Sequence, residues 1–358
     1  MQIGIMGLPG AGKTTLFNVL AGAHAQVGSY SSAVVEPNRA VVKVPDPRLD
    51  RLSALFRPKK TTPAEVQYVD VAGLVQGSAT KGSLAAFLGH LRQADVLVHV
   101  VRAFPGPLGE PTPLADLEAG DLELVLADLG VIDKRLERVD RDIRSAPAGS
   151  LQRQAGEREK ALLTEFRAAL QAERPLRDLT LDPADEKLVR GYGFLTLKPM
   201  LVVLNTAEPD EALVAQAKAK LPWRQTEVVS LAGQLEMELG ELTAEEAAEF
   251  MLALGIETRG APRVIQLSYH LAGLISFFTA GPDEVRAWTI KQGTPAAEAA
   301  GAIHSDIARG FIRAEVVRWD DLLEAGSTTE ARKRGLLRSE GRTYIVQDGD
   351  VIEFLFNV

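Results

Sequence analysis

Gly7-Leu8-Pro9-Gly10-Ala11-Gly12-Lys13-Thr14 follows the spacing G-x-x-x-x-G-K-[ST]. That spacing suits one kind of chemistry, the holding of a chain of phosphates. Glycines let the backbone curl until its N–H groups point inward at a helix N-terminus, where the helix dipole also favours negative charge. Lys13 then reaches the β- and γ-phosphates, and the hydroxyl of Thr14 ligates Mg²⁺. The expected phosphate-binding run is Leu8, Pro9, Gly10, Ala11, Gly12, Lys13, Thr14 and Thr15.

Downstream, Asp70-Val71-Ala72-Gly73 forms a D-x-x-G element at the end of an apolar run. Asp70 is expected to share Mg²⁺ with Thr14, and the Gly73 N–H to meet the γ-phosphate. Lys13, Asp70 and Gly73 are therefore the catalytic candidates. Leu74 follows, where Ras-type enzymes place the Gln that orients attacking water. An apolar side chain cannot hold water, so either another group does so or turnover is slow without a partner.

A third element is Asn205-Thr206-Ala207-Glu208, closing the apolar run Met200–Leu204, with Ser230, Ala232 and Gly233 on a later turn. In the order phosphate loop, D-x-x-G, base loop, Asn205, Glu208, Ser230, Ala232 and Gly233 are the base-reading candidates. An N-K-x-D loop selects guanine because its Asp accepts from N1–H and the 2-amino group, donors that adenine lacks. Glu208 in place of Asp and Thr206 in place of Lys remove that geometry. ATP becomes an expected ligand beside GTP.

These residues need elements to hold them. Ile3 and Ile5 lie in a β-type run before the phosphate loop, and Leu16, Phe17, Val19 and Leu20 follow at helical spacing. Val66 and Tyr68–Val71, the run 96–101 and Met200–Leu204 read as strands of a parallel sheet covered on both faces. The expected fold is an α/β P-loop NTPase domain. Leu122, Val125, Leu129, Ile132, Leu136, Val139 and Ile143 step by three and four, then "SAPAGS" interrupts and Leu162, Phe166 and Ala169 resume. That pattern predicts an antiparallel helical hairpin. From about Ser276 strands return in "SFFTA", "EVRAWTI", "TYIVQ" and "VIEFLF", with a short Ala-rich helix near 295–303 and a turn at Asp348-Gly349-Asp350. Arg332, Lys333, Arg334 and Arg338 form a small basic cluster, read either as surface solubility or as a phosphate contact.

Composition bounds the function classes. The chain has 358 residues, 46% hydrophobic and 25% charged, with no cysteine, so disulfides and thiolate metal sites are excluded. A net charge of −8 argues against a protein that coats nucleic acid, and no DNA specificity is expected. The N-terminus lacks a basic, then apolar, signal pattern, and no run reaches the ~20 apolar residues of a spanning helix. A cytoplasmic location without membrane partners is the expectation.

"GLPGAGKTTLFN", "EPNRAVVKVPDPRLDRL", "VDVAGLVQG", "ADVLVHVVRAF", "LTLKP", the N-x-x-E loop and "DGDVIEFLFNV" together resemble the YchF/Obg-like ATPase family, from Ile3 to Val358. The resemblance implies an Obg-type nucleotide domain over 1–120 and 178–272, a helical insertion over 121–177, and a C-terminal TGS domain of β-grasp fold over 273–358. It also implies ribosome or rRNA binding through the hairpin and TGS domain, ATP bound at least as well as GTP, and a hydrophobic residue at Leu74. His304 matches a histidine of the TGS domain.

Four departures from the family pattern touch the site. Gly10 stands where members carry an Asn tied to a monovalent cation, and Val34 stands where a switch Thr closes on Mg²⁺, with Ser31 or Ser32 as substitutes. "SATKGSLAAF" lacks the usual glycines, and the loop after Phe104 lacks a histidine. The expected function is slow nucleoside-triphosphate hydrolysis of the translation-associated kind. The alternative is a nucleotide-holding interaction module with little turnover. A small-molecule kinase is disfavoured by the missing lid and acceptor signatures.

Overall fold

The structure is a computed structural model that describes residues 1–22, 38–70, 81–107, 109–256 and 258–357. The chain divides into two compact units, residues 1–40 with 67–264, and residues 41–66 with 265–358.

The first sheet contains β1 (Gln2–Met6), β2 (Asn38–Lys43), β4 (Glu65–Asp70), β5 (Val96–Ala103), β6 (Met200–Thr206) and β7 (Thr226–Leu231), in the order β2-β4-β1-β5-β6-β7. β1 runs parallel to β4 and β5, and β5, β6 and β7 continue parallel. β6 is buried along its whole length, which is why it reads as an unbroken apolar run. Register sets the chemistry: Ile5 pairs with Asp70, so the D-x-x-G aspartate lies beside the strand that launches the phosphate loop.

The hairpin forms from helices Pro113–Ser145 and Leu151–Gln171, the second capped by Ser150, whose side chain accepts from Arg153 N. Its seam differs from the expected one at the start. Leu122 is 52% exposed, and Leu117, Gly120, Leu124 and Asp128 are buried instead. The long helix changes partner along its length. Leu117 and Leu124 join the sheet core with Met6, Leu97 and Val202, whereas Ile132 packs with Leu163, Phe166 and Leu170 of the second helix. A heptad count assumes one partner throughout and so misplaces the first turns. Asp128 anchors this junction, accepting from the N–H of Leu195 at 3.1 Å and of Thr196 at 2.8 Å.

The second sheet contains β3 (Lys60–Thr62), β8 (Leu274–Ala280), β9 (Glu284–Lys291), β10 (Phe311–Arg318), β11 (Arg338–Glu340) and β12 (Asp350–Phe356), in the order β11-β10-β12-β8-β9-β3. β8 and β9 are antiparallel, as are β10 and β12, while β12 lies parallel to β8. Ala296, Ala299 and Ala300 of helix Ala296–Ile303 pack on Phe277, Phe311 and Val316, because small residues let a helix sit close to a sheet. "TYIVQ" forms only an isolated antiparallel bridge rather than a full strand: Ile345 pairs with Pro295, Val346 N donates to Thr294 O at 3.1 Å, and Gln347 N donates to the Asp350 carboxylate at 2.9 Å. The strands absent from the sequence reading are β3, β10 and β11 here and β2 in the first sheet. Helix Pro47–Phe56 begins at "PDPRLD", with Asp46 accepting from Arg48 N at 3.0 Å and Pro47 at the first turn, where its missing N–H costs nothing.

Candidate nucleotide-binding site

The phosphate loop connects β1 to helix Lys13–Ala21. Gly7 has φ 146° and Gly12 φ 92°, conformations that favour glycine. Space is also closed at both: a Cβ on Gly7 would collide with the carbonyl oxygen of Val100, and one on Gly12 with the side-chain nitrogen of Asn205. Helix hydrogen bonding starts at once, Leu16 N donating to Gly12 O at 2.9 Å.

Lys13 is buried, and its ammonium donates to the carbonyl oxygens of Gly7 and Leu8, each at 2.9 Å. Burial lowers its pKa, partly offset by the nearby Asp70. Asp70 responds oppositely: burial raises its pKa, while Lys13 and the Thr14 hydrogen bond work to lower it. Thr14 Oγ1 donates to Asp70 Oδ2 at 3.4 Å, and Asp70 Oδ1 is buried with no partner among the described residues. An unsatisfied carboxylate oxygen beside a hydroxyl oxygen is a hard-oxygen donor set that fits Mg²⁺. Gly73 and Leu74 lie outside the described residues, as do Ser31, Ser32 and Val34.

Asn205 joins three loops. Its Nδ2 donates to Ala11 O at 3.0 Å, and its Oδ1 accepts from Gly233 N at 3.1 Å. The asparagine thus locks the phosphate loop to the turn after β7. A cavity of about 680 Å³ opens beside it, walled by Thr15, Phe104, Asn205, Thr206, Glu208 and Leu235, among others. Ser230 and Ala232 border a separate cavity of about 310 Å³ with Arg259 and Arg263. Ser230 Oγ accepts from Asp210 N at 3.3 Å, and Gly233 touches the site through its bond to Asn205.

Phe104, Leu235, Leu254 and Ile256 line the larger cavity and were not reached from sequence. Phe104 carried one faint signal, its place directly after β5. Arg102 holds that loop, donating to Gly109 O at 2.8 Å.

In the second unit the basic cluster is largely neutralised. Arg332 pairs with Glu315, Arg334 with Glu330 at 3.0 Å, and Arg338 with Glu340 at 3.8 Å. His304 Nδ1 accepts from Asp306 N at 3.1 Å and so serves as a helix cap. Among the described residues, no helix is long and apolar enough to cross a membrane.

Residues 2–143 match the profile of 50S ribosome-binding GTPases, and residues 274–357 match the C-terminal profile of YchF GTPases, described as a protein of unknown function. The ribosome-binding ATPase YchF of Bacillus subtilis is 41% identical over 370 residues, spanning all of both chains. The chain belongs to the YchF family. The ribosome-binding ATPase YchF of Escherichia coli O157:H7 is 38% identical over 366 residues, covering all of this chain and 99% of its own. The structure of the Schizosaccharomyces pombe YchF GTPase superposes with a TM-score of 0.85 at 30% identity, covering 99% of this chain and 97% of that one. This YchF chain therefore shares the fold of its family along nearly its full length.

Proposed function

We propose that this YchF-family chain is a Mg²⁺-dependent nucleoside triphosphatase that accepts ATP at least as well as GTP and works at the ribosome. The observation that carries the reading is the meeting of Lys13, Thr14 and Asp70 at one end of β1 with Asn205 locked onto the same loop. Backbone N–H groups of Gly10–Thr14 cradle the phosphates, and Lys13 exchanges its carbonyl partners for phosphate oxygens, neutralising charge as the terminal bond breaks. Thr14 and Asp70 would hold the metal ion, which offsets charge on the β- and γ-oxygens. Asn205 braces the phosphate loop against the turn after β7, and Glu208 lines the base side of the cavity, too long to reproduce the paired guanine contact of an Asp.

The ribosome enters through the printed names of the relatives, which are ribosome-binding ATPases. The hairpin and the C-terminal sheet, assigned as the helical insertion and a TGS-type β-grasp domain, are the proposed docking parts. A second reading, nucleotide held with little turnover, is favoured by Leu74, which cannot hydrogen-bond a water. Single-turnover hydrolysis of ATP, with and without Mg²⁺ and with added ribosomes, separates the two. Mg²⁺-dependent phosphate release that ribosomes accelerate supports the triphosphatase. Binding without release under every condition supports the holding module.

A further inference from the structure

Helix Ala244–Ala253 of the first unit is held by its ends rather than by packing. Thr243 and Glu246 cap each other, Thr243 N donating to the Glu246 carboxylate at 2.9 Å and Glu246 N to the Thr243 hydroxyl at 3.3 Å. Gly255, at φ 67°, closes the other end, where Ile256 N donates to Met251 O at 2.9 Å. Yet none of the helix's described side chains is buried, and Ala247 and Met251 are only half covered. Leu242, Glu246, Phe250 and Leu254 step by four and so share one stripe, with Glu245 and Glu249 on the stripe beside it. Phe250 is 40% exposed and Leu254 53%. Leu252, also exposed, lies two stripes away. Among the described residues, this short run holds four of the twelve exposed large apolar side chains, a cluster rather than the scattered singles of an ordinary surface. A ten-residue helix is marginal in water unless a partner covers its apolar side.

Charge selects what can cover it. From Gly233 to Thr258 the chain carries glutamates but no lysine, arginine or histidine. Such a rim repels the phosphates of a nucleic acid, and a second copy of the same face would set glutamate against glutamate. We propose that this helix is a docking face for a basic amphipathic helix of another protein. The partner's apolar residues, one helical turn apart, pack along Leu242, Phe250 and Leu254, and its lysines or arginines meet Glu245 and Glu249. Leu254 also lines the larger cavity, so the docked helix ends at the rim of that cavity. The proposal does not depend on which ligand the cavity holds.

The test uses the full chain and a fluorescent helical peptide of leucine, alanine and lysine, its leucines at helical spacing, beside a control peptide in which every lysine is glutamate. Wild type is expected to bind the lysine peptide and not the control. Phe250→Ser with Leu254→Ser weakens binding by at least about tenfold, as loss of anchor residues does. Glu245→Gln with Glu249→Gln, which leaves the cap intact, weakens it by about fivefold and flattens its salt dependence. Leu252→Ser binds as wild type does. Denaturant melts establish that each variant is folded, and the glutamine variant tests the face even where the serine pair does not fold. Several results overturn the proposal: no binding by wild type, equal binding by all folded variants, a loss in Leu252→Ser as large as in the serine pair, or equal binding of the control peptide. Sedimentation showing a wild-type dimer that the serine pair converts to a monomer assigns the face to a second copy and overturns it too. So does binding of a single-stranded RNA that the serine pair abolishes.

Discussion

Arg48 and Asp348, 300 positions apart, form a two-pronged ion pair, Nη1 donating to Oδ2 at 2.7 Å and Nη2 to Oδ1 at 3.1 Å. The same guanidinium grips Asp46 at 2.8–2.9 Å and lies 5.3 Å from the centre of the Phe278 ring. Its two carboxylate partners raise the pKa of Arg48 further, despite burial, so the charge is permanent. This pairing joins "PDPRLD" to "DGD" within the second unit. Arg48→Met keeps the apolar stem but leaves Asp46 and Asp348 facing each other without a cation. The expected loss is about 2–4 kcal/mol, read by chemical denaturation. Arg48→Lys is expected to recover little, because an ammonium cannot grip two carboxylates in forked geometry.

Asn205→Ala removes the bonds to Ala11 and Gly233 together. The expected result is at least tenfold weaker binding of both ATP and GTP, since the phosphate loop and the turn after β7 lose their shared brace. The cost in stability is smaller, about 1–2 kcal/mol. Isothermal titration beside denaturant melts checks the pair. A change in ATP affinity alone would assign Asn205 to base reading rather than to bracing.

His99 lies wholly buried in β5, its Nδ1 unpartnered among the described residues, with Gly120 so close that a Cβ there would strike the ring. Burial, reinforced by the charges of Arg177 and Lys13, pushes its pKa down to about 4. An unfolded histidine titrates near ~6.5, so between about pH 6.5 and 4 the unfolded chain binds a proton that the native one refuses. Stability present above that window is lost as pH falls through it, by up to ~1.4 kcal/mol per pH unit. His99→Gln is expected to flatten this part of the stability–pH curve. An unchanged slope in the variant would assign the acid sensitivity to the carboxylates instead.

The phosphate loop was legible because its requirements are local: glycine conformations, one lysine and one threonine in a row. The Asp70 position was legible because a strand end follows from an apolar run. Contacts between distant segments were not. Nothing in "NTAE" says that Asn205 would be used up on Ala11 and Gly233, or that Thr206 would carry an unpaired hydroxyl. "PDPRLD" and "DGD" stood out as motifs, yet their reason, the Arg48–Asp348 pair, exists only in the folded chain. Local β-propensity suggested a strand at "TYIVQ", and the chain keeps only a single bridge of it, Ile345 with Pro295, before Gln347 N turns to the Asp350 carboxylate. Leu122 was assigned to a seam that the long helix joins only further on, after its first turns have packed on the sheet core.

Glu208 is exposed at the cavity mouth, beside the buried Thr206. Replacing both, Glu208→Asp with Thr206→Lys, rebuilds the guanine-reading pair. The double variant is expected to shift the ATP-to-GTP affinity ratio towards GTP by about tenfold, or ~1.4 kcal/mol. Competition of each nucleotide against a fluorescent analogue measures the ratio. An unchanged ratio would mean that base choice is made elsewhere on the cavity wall, with Phe104 and Leu235 the next residues to vary.

The central claim is that Lys13, Thr14 and Asp70 form a triphosphate site whose base pocket does not demand guanine. Calorimetric titration of ATP and GTP into wild type and Lys13→Ala, each with and without Mg²⁺, tests it most directly. Wild type is expected to bind ATP as tightly as GTP or more tightly, with omission of Mg²⁺ weakening both, and Lys13→Ala to bind neither while melting as a folded protein. Tight ATP binding retained by Lys13→Ala, or a strong wild-type preference for GTP, would contradict it.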